Sequence, residues 1–135
     1  MEEWLSYRAG TKGLRSFLGE LEEKIMEIIW DLGEAKVSDI AKELEKRYGK
    51  RIAQTAITIT CNRLYRKGLL DRKIGKGSGG LFYIYSPRMG KRELEKRVVE
   101  VILEGLVKSF GEVAEEVLLN QKKIKNILRG VKERE

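Results

Sequence analysis

A glycine-rich stretch near the middle of the chain, GKGSGG at residues 75–80, matches the G-x-G-x-x-G pattern that cradles phosphates in nucleotide-binding enzymes. That chemistry needs the glycines between a strand and a helix, so that the helix N-terminus meets the pyrophosphate. Here the glycines are followed by LFYIYS at 81–86, whose aromatic and β-branched residues predict a strand. We therefore predict strands over 69–74 and 81–86, joined by a flexible six-residue tip. Lys73 and Lys76 suggest that this tip approaches an anion.

Other residue types that carry catalysis are scarce in these 135 residues. The chain has no histidine and a single cysteine, Cys61, which excludes an intrachain disulfide and the usual zinc sites. Asp31, Asp39 and Asp71 are scattered and form no carboxylate cluster for a two-metal site. We predict no enzymatic activity, no cofactor and no metal, and we expect Cys61 to be a small core residue.

The length and hydropathy of the chain limit where it acts. A chain of 135 residues is enough for one small domain with an accessory element. No apolar run approaches the ~18 residues that span a bilayer, and the first ten residues, MEEWLSYRAG, lack an apolar signal core. We expect a soluble cytoplasmic protein without a membrane partner.

The net charge of +7 is unevenly distributed along the chain. Residues 1–35 carry a net charge of −4, residues 36–92 a net charge of +11, and residues 93–135 none. A basic middle segment between acidic and neutral flanks is typical of a protein that binds a polyanion. The alternative is a solubilising surface without a partner.

Periodicity predicts the elements that would position these charges. Apolar residues at helical spacing predict helices over 19–32, 39–48 and 53–67, the second with Ser38 as its N-cap. Followed by the hairpin, they give a mainly α fold with a small β-hairpin, which is the order of a winged helix-turn-helix domain. We assign 18–89 to this domain and 1–17 to an N-terminal extension. The extension is too apolar for a free tail and is expected to dock on the body or on a second copy, through Trp4, Leu5, Tyr7, Leu14 and Phe17.

Three further amphipathic helices are predicted over residues 91–131. They cannot all bury their apolar faces on so small a domain, and a second copy of the chain is the simplest partner. We therefore predict a helical dimerisation region over 90–135. The residues assigned to dimerisation are Leu94, Val98, Val101, Ile102, Leu106, Phe110, Val113 and Val117.

The third helix takes the place of the helix that enters the major groove in helix-turn-helix proteins. Its outward polar residues can bond base edges, and the basic residues around it suit phosphates. The predicted DNA contacts are Lys50, Arg51, Gln54, Thr55, Thr58, Ile59, Asn62, Arg63, Arg66, Arg72, Lys73 and Lys76. Alternatives stay open for several of these residues. The threonines could face solvent, Ile59 could contact a thymine methyl or be partly buried, and the arginines at 63 and 66 could pair with carboxylates.

Three segments resemble the penicillinase repressor family, which includes BlaI, MecI and the copper-responsive CopY. They are residues 18–44, with IMEIIW in the first helix, residues 59–77, with NRLYRKGLL, and the return strand LFYIYSP at 81–87. Residues 91–120 are similar more loosely. The resemblance implies a homodimeric winged-helix repressor that binds an inverted-repeat operator on double-stranded DNA and dimerises through C-terminal helices. By position, Thr55, Thr58, Ile59, Asn62 and Arg63 match the groove-facing part of the family's recognition helix, and residues 72–76 match its wing.

The chain departs from that family pattern where specificity and induction are determined. Staphylococcal members carry threonine at the positions of Ala56 and Ile59, so their operator is not carried over. The Asn-Phe bond that a sensor protease cuts in those members is replaced by Leu119-Asn120-Gln121. The paired C-terminal cysteines of the copper branch are missing. We predict a sequence-specific repressor with an unassigned operator and inducer, the alternatives being a winged-helix protein-docking module or a non-specific architectural DNA-binding protein.

Overall fold

The computed structural model of the protein describes residues 12–135. A short 3-10 turn at Gly13–Ser16 precedes three helices, a hairpin and three further helices. In chain order these are α1 (Glu20–Leu32), α2 (Val37–Tyr48), α3 (Gln54–Arg66), β1 (Leu70–Gly77), β2 (Gly80–Pro87), α4 (Lys91–Phe110), α5 (Glu112–Leu119) and α6 (Gln121–Arg134). The predicted mainly α fold with one small hairpin is confirmed.

The chain divides into two compact units, of which the first ends at Glu95 and the second spans Lys96–Glu135. In the first unit, α1, α2 and α3 pack against one another through apolar residues spaced three or four apart. Burying each such side chain fully contributes about 1.5–3 kcal/mol. The residues of these helices with at most 1% exposure are Ile25, Met26, Ile28, Ile29, Ile40, Leu44, Ile57, Cys61 and Leu64.

Part of the N-terminal extension packs on this core. Leu14 is 4% exposed and Phe17 is 8% exposed, so both side chains are buried. Their predicted docking on the body of the protein is confirmed. Trp4, Leu5 and Tyr7 lie outside the described residues.

The hairpin is longer and tighter than predicted. β1 runs to Gly77 and β2 begins at Gly80, which leaves a two-residue turn in place of a six-residue tip. Gly75 lies opposite Phe82 in the register, and a Cβ on Gly75 would be 2.5 Å from Cε2 of the Phe82 ring. Glycine at 75 therefore leaves room for the Phe82 ring, which provides the packing at a position where glycine has no side chain.

The start of α2 also differs from the prediction. The helix begins at Val37 with Lys36 as its N-cap, so the assignment of Ser38 as N-cap is wrong. The preceding residue, Ala35, is held in an extended bridge to Tyr85 by N–H···O bonds of 2.9 and 2.8 Å. With this bridge in place, the helix starts two residues earlier than predicted, and the Asp39 carboxylate accepts a long hydrogen bond of 3.4 Å from the Lys36 amide.

The second unit consists of the rest of α4 together with α5 and α6, and the three predicted C-terminal helices are present. Val98 and Ala114 are its buried side chains among those described. The boundary that we predicted between 89 and 90 lies just before α4, whereas the division between units falls inside that helix. Within residues 12–135, no helix is both long enough and apolar enough to cross a bilayer.

Candidate nucleic-acid interface

Helix α3 separates a buried face from an exposed one. Ile57, Cys61 and Leu64 are fully buried and anchor the helix on α1 and α2. Burial raises the pKa of the Cys61 thiol to about 12, so this cysteine stays protonated and acts as a core residue, as predicted. The orientation of the exposed face follows directly from these three anchors.

The exposed face of α3 carries a mixture of polar, basic and apolar side chains. Ile59 is 57% exposed, which favours the interpretation of an outward-facing residue over that of a partly buried one. Thr58 and Asn62 are half-buried, and the Thr58 hydroxyl donates to the Gln54 carbonyl at 2.9 Å. The exposed members of this face are Gln54, Thr55, Ile59, Arg63 and Arg66.

Asn62 connects α3 to the hairpin. Its Oδ1 accepts a hydrogen bond of 2.8 Å from the Tyr85 hydroxyl and one of 3.1 Å from Nη1 of Arg72. The Tyr85 ring is fully buried, and burial raises the pKa of its hydroxyl, which therefore remains a donor at neutral pH. The role of Asn62 in reading a base stays a prediction, and its Oδ1 is already engaged within the protein.

The Arg72 guanidinium group lies close to two aromatic rings, those of Tyr65 and Tyr83. Its guanidinium carbon is 3.9 Å from the centroid of the Tyr65 ring and 4.2 Å from that of Tyr83. Both distances are within the range of cation–π attraction. Arg72 of β1 thus combines contacts with two rings with its hydrogen bond to Asn62. Sequence reasoning did not anticipate this arrangement, because the three partners lie on two other elements, α3 and β2.

The remaining basic residues of the predicted interface are exposed. Lys50 Nζ lies 3.3 Å from Glu20 Oε1, and Lys73 Nζ lies 3.1 Å from Glu34 Oε2. Such exposed pairs are weak and are readily exchanged for phosphate contacts. A direct ion pair between either α3 arginine and a carboxylate is not seen within residues 12–135, although the charge of Arg63 helps to lower the pKa of Glu22. Four other basic residues form no direct ion pair there. These four are Arg51, Arg63, Arg66 and Lys76.

One ion pair that sequence reasoning missed is largely shielded from solvent. Glu22 Oε2 accepts from Lys67 Nζ at 2.6 Å, and its Oε1 accepts from the Gly19 amide at 3.0 Å. Burial alone would raise the pKa of Glu22, but these two hydrogen bonds outweigh it and hold the pKa below its ordinary value. The pair joins the start of α1 to the end of α3. In the sequence, only the acidic first turn of α1 could have indicated it.

A cleft of about 460 Å³ separates the hairpin from the start of α3. Its walls include Gln54 and Thr58 on α3, Phe82 on the hairpin, and Lys36 and Ser38 at the start of α2. Lys36 Nζ lies 5.0 Å from the centroid of the Phe82 ring. Lys36 and Ser38 were not among the predicted contacts, although they face the same side as the exposed residues of α3.

Residues 12–135 contain no cluster of three or more histidine, cysteine or carboxylate ligands. The exposed face of α3 and the adjoining basic hairpin can instead form hydrogen bonds, apolar contacts and ion pairs with a polyanion.

The residues assigned to dimerisation differ in exposure. Leu94 is 1% exposed and Val98 is 4% exposed, so a single chain already buries both. Phe110 and Val113 are each more than 60% exposed, and Leu106 is 40% exposed. Val101, Ile102 and Val117 are half-buried.

Comparisons with known proteins agree with this geometry. A profile described as penicillinase repressor matches residues 18–130. A possible transcriptional regulator from Methanosarcina mazei Go1 has a TM-score of 0.55 at 16% identity, over 73% of this chain and 78% of that chain. The DNA-binding domain of the repressor BlaI has a TM-score of 0.44 at 23% identity, over 55% of this chain and 83% of that chain. No curated protein matches significantly.

The Methanosarcina mazei structure supports the fold, and the family profile supports the assignment. The profile begins just before α1 and ends within α6, so it takes in the three-helix core, the hairpin and most of the C-terminal helices. The chain therefore belongs to the penicillinase repressor family, and it is a DNA-binding transcriptional regulator with a winged-helix fold.

Proposed function

We propose that the protein is a homodimeric repressor that recognises an inverted-repeat operator. Each protomer would place α3 in a major groove, with the hairpin, hereafter the wing, along the adjacent backbone. The observation that carries the proposal is the exposed face of α3. Its side chains are held outward by a fully buried opposite face, and no described residue packs over them.

Two kinds of contact are expected at this surface. Thr55, Ile59 and Arg63 are the side chains best placed to read base edges, through hydroxyl, apolar and guanidinium contacts with the groove. Lys50, Arg51, Arg66, Lys73 and Lys76 would contact phosphates, which position the protein without reading sequence. The +11 net charge of residues 36–92 supports DNA as the partner, because a wing that docks on another protein does not need such a charge.

Homodimer formation is supported by the apolar surface of the second unit. None of the 14 residues of α6 is buried among the described residues, although the helix carries apolar residues at helical spacing. Leu106, Phe110 and Val113 are also exposed. An apolar surface of this kind is typical of a helical region that packs against a second copy. Two copies related by a two-fold axis would bind the two halves of an inverted repeat.

Repression would then be steric. A dimer bound across a promoter would exclude the transcription machinery without a chemical step. Release from the operator would follow a signal that has no assigned site on this chain.

The proposal is tested by selecting bound duplexes from a random DNA pool at moderate salt and sequencing them. Enrichment of an inverted repeat is the expected result, with a sedimentation coefficient of the complex that corresponds to two chains per duplex. Binding without enrichment would indicate an architectural protein instead. An absence of binding at low salt would assign the winged helix to protein docking.

A further inference from the structure

We propose that Arg72 is a positioning residue, which fixes the angle between the wing and α3, and that it is not a phosphate contact. This inference rests on the proposed function. Arg72 is part of a five-residue assembly, hereafter the wing lock, that links β1 and β2 to α3. Its members are Asn62, Tyr65, Arg72, Tyr83 and Tyr85.

The wing lock is built on one cross-strand pair. Arg72 of β1 lies directly opposite Tyr85 of β2. Both side chains donate to the same acceptor, Oδ1 of Asn62, at 3.1 and 2.8 Å. One oxygen of α3 therefore holds both strands of the wing at their base. Because Tyr85 is fully buried, this attachment belongs to the core of the domain.

Stacking restricts Arg72 in the remaining directions. The guanidinium carbon lies 3.9 Å from the ring centroid of Tyr65 on α3 and 4.2 Å from that of Tyr83 on β2. Only a planar guanidinium can stack on rings and donate to an amide oxygen at the same time, and a lysine ammonium cannot reproduce this geometry. Arg72 is thus held by α3 and by β2 together, in contrast to the exposed Lys73 and Lys76 farther along β1.

A lock at the base of the wing controls the position of its tip. Ser78 in the turn lies six positions after Arg72, which corresponds to roughly 20 Å of strand. A rotation of about 10° at the base would then move the tip by about 3 Å, comparable to the length of a hydrogen bond. The lysine contacts of the wing with phosphate depend on this angle.

The first experiment compares operator affinity among variants that separate charge from stacking. Arg72→Lys keeps the positive charge but loses the lock, and we expect at least tenfold weaker binding. Tyr65→Leu removes no charge and should weaken binding to a similar extent. The matched control is Arg129→Lys on α6, an exposed arginine outside the predicted interface, for which we expect wild-type affinity. Wild-type affinity for Arg72→Lys would overturn the proposal.

A second readout separates positioning from a general loss of stability. In the wild-type background, Lys76→Ala should lower the slope of log K against log salt by about one. In the Arg72→Lys background the wing is no longer held against the duplex, so the same substitution should lower the slope by much less. An equal effect of Lys76→Ala in both backgrounds would contradict the wing lock. Circular dichroism melts would verify that each variant is folded.

A third measurement needs no DNA. In the free protein, NMR should show the Arg72 side-chain resonances shifted upfield by the two rings, and Tyr65→Leu should reduce that shift. A wild-type chain that showed this upfield shift but bound no operator would contradict the proposed function and still support the wing lock. Random-coil shifts for Arg72 would overturn the lock whatever the DNA result.

Discussion

At the scale of single residues, the hydrogen-bonding capacity of Asn62 is divided between the protein and any ligand of α3. Its Oδ1 serves Tyr85 and Arg72, whereas its Nδ2 makes no hydrogen bond to the described residues. An adenine contact through both atoms would require those two bonds to break. Base reading by Asn62 is therefore limited to its amide nitrogen as long as the lock is closed.

The first prediction concerns the stability that this oxygen provides. Asn62→Ala leaves the buried Tyr85 hydroxyl without its acceptor and should lower the free energy of unfolding by about 1–3 kcal/mol. Tyr85→Phe removes the donor as well, so the double variant should lose less than the sum of the single losses. Urea denaturation of the four proteins gives the coupling energy. Strict additivity would show that the hydroxyl and the amide do not interact.

The second prediction concerns the Glu22–Lys67 pair. The pKa of Glu22 is lowered from its ordinary value of 4.5, so its contribution to stability is present above that value and is lost as pH falls through the folded-state pKa. Glu22→Gln should lower the free energy of unfolding by about 1–2 kcal/mol at neutral pH, with the difference shrinking on acidification.

The matched control for the pair is Glu23→Gln. It changes the net charge equally at the next position of α1 but removes no ion pair with residues 12–135. Urea unfolding at pH 7 and at several values below 4.5 would measure both differences. A Glu22→Gln difference that stayed constant across this pH range would contradict the assigned cause.

At the scale of elements, the wing depends on the fit between its glycines and one aromatic ring. Phe82 lies across Gly75 and Gly77, where added Cβ atoms would be 2.5 and 3.1 Å from the ring. Ile84 adds a further contact at 3.0 Å from the Gly75 position. The Phe82 ring of β2 thereby covers the two glycine positions of β1.

The third prediction tests this fit. Gly75→Ala should displace the Phe82 ring, lower stability by about 1 kcal/mol and speed amide exchange in β1 and β2. Gly79→Ala is the matched control, because a Cβ there meets no atom within 4 Å. Replacing Phe82 by alanine should relieve the cost of Gly75→Ala. If both glycine variants had the same effect, the ring would not be its cause.

At the scale of the whole molecule, charge and apolar surface are separated along the chain. The net charge of +11 lies in residues 36–92, while residues 93–135 are neutral overall and expose apolar side chains such as Phe110 and Leu119. The first segment suits a polyanion, and the second suits another protein surface.

The fourth prediction is a steep dependence of operator binding on salt. If about 6–10 phosphates are neutralised per complex, affinity should fall about a thousandfold or more between 50 and 200 mM salt. Fluorescence anisotropy with a labelled operator duplex measures this slope, and a scrambled duplex provides the non-specific baseline. A flat response would remove the electrostatic basis of the interface.

The fifth prediction concerns assembly. Phe110→Glu places a charge on an exposed apolar residue of α4 and should convert the dimer to monomers, with a loss of operator affinity of at least tenfold. Lys108→Glu, two residues away, is the charge control and should leave the dimer intact. Analytical ultracentrifugation distinguishes the two outcomes. If the Phe110→Glu variant remained dimeric, the dimer contact would have to lie elsewhere on the chain.

The sequence by itself determined the order and type of the elements. Apolar spacing in residues such as Ile25, Ile28 and Ile29 predicted the helices, because a 3.6-residue period appears directly in the chain. Aromatic residues next to the glycines predicted the wing, because strand-forming residue types can also be recognised from neighbouring positions in the chain. The basic middle segment predicted a polyanionic partner, and the motif resemblance predicted the family.

Only the tertiary structure decided which of the predicted interface residues serve the fold. The chain alone could not show that Asn62 binds Tyr85, 23 residues away, or that Lys67 pairs with Glu22, 45 residues away. It could not place the start of α2 either, because the bridge to Tyr85 decides it. Local patterns report the contacts of neighbours in sequence, whereas these contacts exist only once distant segments have packed together.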